Sequence, residues 1–170
     1  MAKTPTVIEI NNASFTTSLT ADKATNDMLR RLGLKSRNMV ARLAIGRSLA
    51  IQCSPEELTE ERGNTIKGVN LFGEDLRLWL GLILEHAHSD DIALDDVQSL
   101  VARHWARGIG TLEQEWLASE EDFDRFVLTL ASQAGVRLEG DLPSKKKPVN
   151  MINGLFDPRP GAVVLKIGDV

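Results

Sequence analysis

Three histidines, one cysteine and a set of basic side chains near the front are the residues of this 170-residue chain whose types could do chemistry. His86 and His88 stand two apart, which on a helix places them on different faces, so a shared metal ion is not expected. His104, beside Trp105, reads as a hydrogen-bonded packing residue rather than a base. Cys53 adjoins an acidic stretch, Glu56, Glu57, Glu60 and Glu61, and lacks the electropositive setting that activates a thiolate. The sequence shows no phosphate-cradling Gly-rich loop with its Lys-Ser/Thr, and no nucleophile elbow. Nothing supplies nucleophile, base and orienter together, so neither an enzyme nor a cofactor site is expected.

The basic residues fit another task. Neutralising DNA phosphates takes several Lys or Arg side chains on one exposed surface, because each contact releases counterions. Lys23 and Arg30 share the outer stripe of a first amphipathic helix, and Arg31, Lys35 and Arg37 cluster at the turn that follows. These five are candidates for backbone contact with double-stranded DNA. Asp27, at helix spacing from Lys23, Arg30 and Arg31, supports the competing reading of an ordinary ion-paired, solvated face. Lys35 and Arg37 have no carboxylate close in sequence. Lys145, Lys146 and Lys147, set between prolines, suit either an arm that tracks phosphate or a solubilising linker. Arg42 and Arg47 fall within a largely apolar helix surface, where a guanidinium needs an acceptor, so both are expected to be structural, with Glu74 or Asp75 as partners.

The elements that position these residues follow from periodicity. Over 14–19, Phe15, Thr17 and Leu19 alternate with Ser14, Thr16 and Ser18, the pattern of a half-buried strand. Thr20 is placed to cap a helix over 21–32, with Gly33 as its stop. Ser36 caps a second, largely apolar helix reaching about residue 51. Residues 54–72 carry turn and loop chemistry. A third helix is predicted over 73–88, apolar all round, and a fourth over 93–107 that ends at Gly108. A short helix at 110–118 follows, then one capped by Ser119 and running to 134, with Phe123, Phe126, Val127, Leu130 and Ala131 facing inward and Gly135 closing it. The fold class is therefore mainly α: a helical domain over 13–138 with one N-terminal strand, and an irregular, basic, proline-containing arm over 139–170 that ends in a strand. A chain that ends on an apolar strand is expected to be cut from something longer.

Composition narrows the classes. A 42% hydrophobic and 26% charged chain is an ordinary globular one, which excludes a disordered protein, a collagen and a disulfide scaffold. A single cysteine forms no internal bridge, and the N-terminus lacks the apolar core of a secretory signal, so a cytoplasmic location is expected. The longest apolar stretch, 76–84, contains Arg77 and is too short to span a bilayer. The net charge of −4 hides an asymmetry: +5 over 13–52, −12 over 53–142 and +3 over 143–170. Such a division suits polyanion contact at the ends or head-to-body pairing between subunits.

Three separated segments, in order, carry a family resemblance over about residues 15–112. The run Leu29-Arg30-Arg31-Leu32-Gly33-Leu34, with Asn38-Met39-Val40-Ala41-Arg42-Leu43-Ala44 and Ser48-Leu49, resembles the front half of DndE, the small subunit of bacterial DNA sulfur modification (phosphorothioation) systems. Asn70-Leu71-Phe72-Gly73-Glu74 and His104-Trp105-Ala106-Arg107-Gly108 fall where that family has similar segments. The resemblance implies a compact helical subunit that assembles as a tetramer, binds double-stranded DNA with a preference for nicked duplex, and works without catalysis beside sulfur-transfer and ATPase subunits. The ending Val163-Val164-Leu165-Lys166-Ile167-Gly168-Asp169-Val170 is similar to the strand that opens the ATPase portion of HerA/FtsK-like translocases, which implies an accessory domain preceding a motor.

Two further readings remain open. The strand–helix–helix opening looks like the ribbon-helix-helix pattern, in which two chains pair their lone strands. That reading predicts a dimer, with Ser14, Thr16 and Ser18 directed at base edges in the major groove, against the alternative of a solvated or subunit-facing strand. The acidic middle segment instead suits an interaction module that engages a basic partner. A homo-oligomer, dimer or tetramer, is expected, with DNA-modification subunits of a phosphorothioation or phage-defence system or a HerA/FtsK-like ATPase as partners, the ribbon-helix-helix alternative being a transcriptional regulator; no membrane is involved.

Overall fold

The computed structural model describes residues 5–88 and 92–135. The chain divides into two compact units, one ending at Ala118 and one beginning at Ser119. The fold is mainly α-helical. In the first unit a short helix α1 (Val7–Asn12) leads into strand β1 (Ser14–Phe15), then α2 (Leu19–Arg31) and α3 (Arg37–Leu49). An irregular stretch ends at strand β2 (Ile66–Lys67), which passes into α4 (Gly68–Phe72), a 3-10 turn over Gly73–Asp75, α5 (Leu76–Ala87) and α6 (Leu94–Ala118). The second unit contains α7 (Phe123–Gln133), capped by Asp122.

Local chemistry sets most boundaries. Thr6 and Glu9 form a reciprocal capping box on α1, a helix that the periodicity did not announce. Ser18 caps α2 by accepting from the Ala21 amide, two positions earlier than the expected Thr20. Gly33 adopts φ +61° after that helix, the left-handed conformation that ends helices. Ser36 caps α3 as expected, accepting from the Asn38 amide at 3.2 Å.

Three elements differ from the sequence expectation. The strand is shorter than 14–19, and its partner lies in the same chain: β1 pairs antiparallel with β2, Ser14 opposite Lys67 and Phe15 opposite Ile66, with a further bridge between Ser18 and Arg62. Residues 68–72, expected as loop, form α4, which buries Leu71 and Phe72. The fourth and fifth predicted helices are one helix of 25 residues, α6, running straight through Gly108.

The reason lies in how α3 and α6 pack. These two helices share the most extensive contact of the first unit, and a Cβ built at Gly108 would stand 1.7 Å from the Ala44 carbonyl oxygen. Gly108 is thus a point of close backbone approach, not a terminus. Around that crossing lie Ala41, Ala44, Ile45, Trp105, Ile109 and Leu112, all buried. Phe15 and Phe72 meet edge to face at 5.2 Å, which ties the small sheet to α4. α5 is core on one side only: Leu76 and Ile83 are buried, while Leu78 and Leu82 are 61% and 45% exposed. In α7, Phe123 and Val127, expected inside, are exposed as well. No helix among the described residues is long and apolar enough to cross a membrane.

Candidate nucleic-acid interface

The basic candidates separate by environment. Lys23 on α2, Arg31 at its end and Lys35 in the turn before α3 are exposed, and no ion pair is recorded for any of them among the described residues. Arg30 is also exposed but pairs with Asp27 one helical turn back, as helix spacing allowed. Arg37 is different. Its guanidinium is ion-paired with the buried carboxylate of Asp22 and lies 5.6 Å over the Trp105 ring. It also donates to the Asn64 carbonyl at 3.3 Å. Asp22 takes two more hydrogen bonds from Asn64, from the side-chain amide at 2.7 Å and the backbone N–H at 3.3 Å. The carboxylate that sequence proximity did not offer Arg37 therefore arrives from the preceding helix, and most of its side chain is withdrawn from solvent. Lys145, Lys146 and Lys147 lie outside the described residues.

Of the two arginines expected to be structural, Arg47 finds another partner than Glu74 or Asp75. Arg47 binds Glu115 of α6, with Nη2 and Nε 2.7 and 2.8 Å from the same oxygen. Arg42 lies against Gly73, where a Cβ would come within 3.3 Å of its guanidinium. Glu74 is exposed in the 3-10 turn, with no ion pair recorded among the described residues. Replacing Arg47 by alanine is expected to lower stability by about 1–2 kcal/mol, as for a charged hydrogen bond lost from a half-buried site. DNA affinity should stay within about two-fold, RT ln 2 being small against a lost phosphate contact. Paired thermal melts and anisotropy titrations would show it.

The first and third family segments meet at the α3–α6 contact, while the second, 70–74, spans the end of α4 and the start of the 3-10 turn. Ser48 is fully buried and stands 3.0 Å from His104 Nδ1. Arg107 donates its Nε–H to the Ser48 hydroxyl at 2.8 Å, an Nη2–H to the Ser48 carbonyl at 2.8 Å and an Nη1–H to the Cys53 carbonyl at 2.5 Å. The Ser48 O–H is then free to donate to Nδ1, which places the His104 proton on Nε2. Trp105 donates to Thr25 at 2.9 Å, and Thr25 donates to the Ala21 carbonyl at 2.7 Å. Gly108 admits Ala44. Each of these motif residues of α6 joins helices; none is a surface reader. Arg107, Asp22 and Asn64 escaped sequence reasoning, and only the position of Arg107 inside a family segment marked it.

Ser14, Thr16 and Ser18 line a polar cleft of about 570 Å³ whose walls also carry three carboxylates, Glu57, Glu60 and Asp95, and two guanidinium groups, Arg62 and Arg103. Gln98 donates to the Ser14 carbonyl at 2.7 Å. That lining is of mixed charge, whereas the exposed side chains of Lys23, Arg31 and Lys35 on α2 and the following turn are all basic, and β1 has its strand partner within the chain. Among the described residues no group of acidic, His or Cys side chains is arranged to hold a metal ion.

The family model for DNA sulphur modification protein DndE matches residues 14–119. No curated protein and no solved structure matches the chain. The matched span runs from β1 to the end of α6 and takes in all three of the segments that carry the resemblance, so this chain belongs to the DndE family of DNA sulphur modification proteins.

Proposed function

We propose that the chain is a non-catalytic subunit that binds double-stranded DNA and assembles with the other components of a bacterial DNA phosphorothioation or phage-defence system. The observation that carries this reading is the exposure of Lys23, Arg31 and Lys35 on one helix and the turn that ends it, without ion pairs recorded for them. Family membership supplies the setting. Arg30 adds to the surface when a phosphate outcompetes Asp27 for it. Arg37 holds the following helix in place through Asp22 and contributes less of its charge to solvent.

The test is fluorescence anisotropy of the purified chain with a labelled duplex, intact and singly nicked, across a salt series. Binding that weakens steeply with salt, and is tighter for the nicked duplex, is the expected result. No binding to either duplex near physiological salt would overturn direct DNA recognition. Substituting Arg31 and Lys35 together by alanine is expected to weaken binding on the order of ten-fold and to lower the salt slope by about 2, one for each lost phosphate contact. The same substitution should leave the melting temperature unchanged, because neither side chain is recorded in an ion pair. Arg37→Ala should do the reverse, lowering the melting temperature more than the affinity.

A further inference from the structure

An acidic segment is fastened to the front end of the proposed DNA surface. Between α3 and β2 the irregular chain carries Glu56, Glu57, Glu60 and Glu61, all exposed, against a single basic residue, Arg62. The end of this strap is pressed onto the first turn of α2. The Leu19 N–H donates to the Glu61 carbonyl at 2.7 Å, the Gly63 N–H donates to the Thr17 carbonyl at 2.9 Å, and Ser18 and Arg62 form a bridge. A Cβ built at Gly63 would stand 2.4 Å from Asp22 Cβ, and Asn64 binds the Asp22 carboxylate through its side chain and its backbone. Glu57 and Glu60 line the same cleft as Thr17 and Ser18, the residues that lead into α2. The fastening runs through backbone groups, Asn64 and Asp22, so the strap is held without its glutamate side chains and their charge stays beside the helix.

Distance along the helix decides which cations this charge reaches. Lys23 stands one turn after Leu19 on the same side of α2, about 6 Å along the axis, whereas Arg31 is about 18 Å along it. The Debye length is ~10 Å at 0.1 M salt. The strap's carboxylates therefore act on Lys23 and are largely screened from Arg31. They offset the Lys23 charge and repel a phosphate that approaches it. We infer that the strap is an autoinhibitory contact built into the fold, in which Glu57, Glu60 and Glu61 hold the Lys23 end of the DNA surface in check. Contact with a duplex is then carried by the Arg31 end, and neutralising the strap extends it to Lys23. This inference rests on the DNA binding proposed above and sets a limit on its strength.

Fluorescence anisotropy of the full chain with a labelled duplex, at about 50 and about 200 mM salt, tests it. The strap variant is Glu57→Gln, Glu60→Gln, Glu61→Gln. Its control, Glu74→Gln, Asp75→Asn, Glu85→Gln, changes the net charge equally at exposed positions of the 3-10 turn and α5. Exposed charges act weakly one by one, so the three strap substitutions together are expected to tighten binding roughly five-fold at the lower salt and less at the higher, with the control within about two-fold of the wild type. Lys23→Ala should weaken wild-type binding by under about two-fold and the strap variant's by roughly five-fold, while Arg31→Ala should weaken both by the same factor. The strap variant should melt like the wild type. A control that gains as much as the strap variant would reduce the effect to net charge and overturn the inference, as would a Lys23→Ala loss that is the same with and without the strap charges. A wild type that binds DNA and a strap variant that gains nothing would overturn the strap alone and leave the DNA reading standing. No binding by either chain at the lower salt would overturn both.

Discussion

Gly108→Ala should cost the protein much of its folding stability, whereas Gly110→Ala, two residues along the same helix, should raise it. A single methyl group separates the outcomes. At Gly108 the new Cβ would stand 1.7 Å from the oxygen and 2.4 Å from the carbon of the Ala44 carbonyl, and 3.0 Å from Ala44 Cα. These are backbone atoms in the middle of α3, so no rotamer change relieves the overlap. The helices must separate, and Trp105, Ile109 and Leu112 lose contact with the facing side chains. The expected cost is upwards of about 3 kcal/mol, at the severe end for overpacking. That corresponds to a drop in melting temperature on the order of 10 °C for a chain of this size. At Gly110 a Cβ meets nothing within 4 Å, and the helical preference of alanine over glycine is worth roughly 1 kcal/mol. Circular dichroism melts of the two variants decide the matter, and a Gly108→Ala protein that melts like the wild type would mean that α3 and α6 do not pack at this depth.

The same residue marks the limit of reading this fold from sequence. The helical class, the Ser36 cap and the Gly33 stop were legible because each depends on a few neighbouring residues. Gly108 was read as a terminus because glycine ends helices more often than it sits inside them, and only a second helix pressed against it gives it another use. The strand partner was invisible for a related reason. β2 is two residues long, Ile66–Lys67, too short for alternation to register, and its pairing with β1 joins segments about fifty positions apart. α4 is five residues of GVNLF inside a stretch that carries turn chemistry, and the burial of Leu71 and Phe72 outweighs the weak helical preference of so short a segment.

The proposed DNA surface was legible by composition and not by pairing. A cluster of basic residues after Thr20 stands out in the sequence, and Arg30 finds Asp27 because both lie on one helix. Arg37 shows where local reasoning stops: its partner Asp22 sits on another helix, and the Asn64 that completes the site comes from the irregular segment before β2. Phosphate contact and structural pairing draw on the same residue types, and only the fold sorts one from the other. Here it leaves Lys23, Arg31 and Lys35 outside and takes Arg37 and Arg47 in. The exposed face of α5 was hidden for the opposite reason, because a helix rich in leucine reads as core from every side until its neighbours are counted.

Lowering the pH from 6.5 to 4 should remove about 3 kcal/mol of stability through His104 alone, and His104→Gln should abolish that part of the pH dependence. Burial, first of all, and then the charges of His86, Arg107 and Arg103 lower the His104 pKa from 6.5 to about 4. Every charged group acting on it is cationic or becomes so on protonation, so a proton on this ring meets no compensating carboxylate. It would also compete with the Ser48 hydroxyl, which donates to Nδ1 while accepting from Arg107. The unfolded chain protonates its histidine near pH 6.5 and the folded chain resists until about 4, so unfolding takes up a proton across that window. Stability from this group is complete above 6.5, falls through the window, and levels off below 4, where both states carry the proton. A difference of about 2.5 units at 1.36 kcal/mol each gives the size of the effect. Urea denaturation at a series of pH values measures it directly. His104→Gln keeps an acceptor for Ser48 and removes the titration, so its curve should be flatter than that of the wild type between 6.5 and 4. Parallel curves would assign the acid sensitivity to other groups and would show that the Ser48–His104–Arg107 network, which joins α3 to α6, tolerates a charge at its centre.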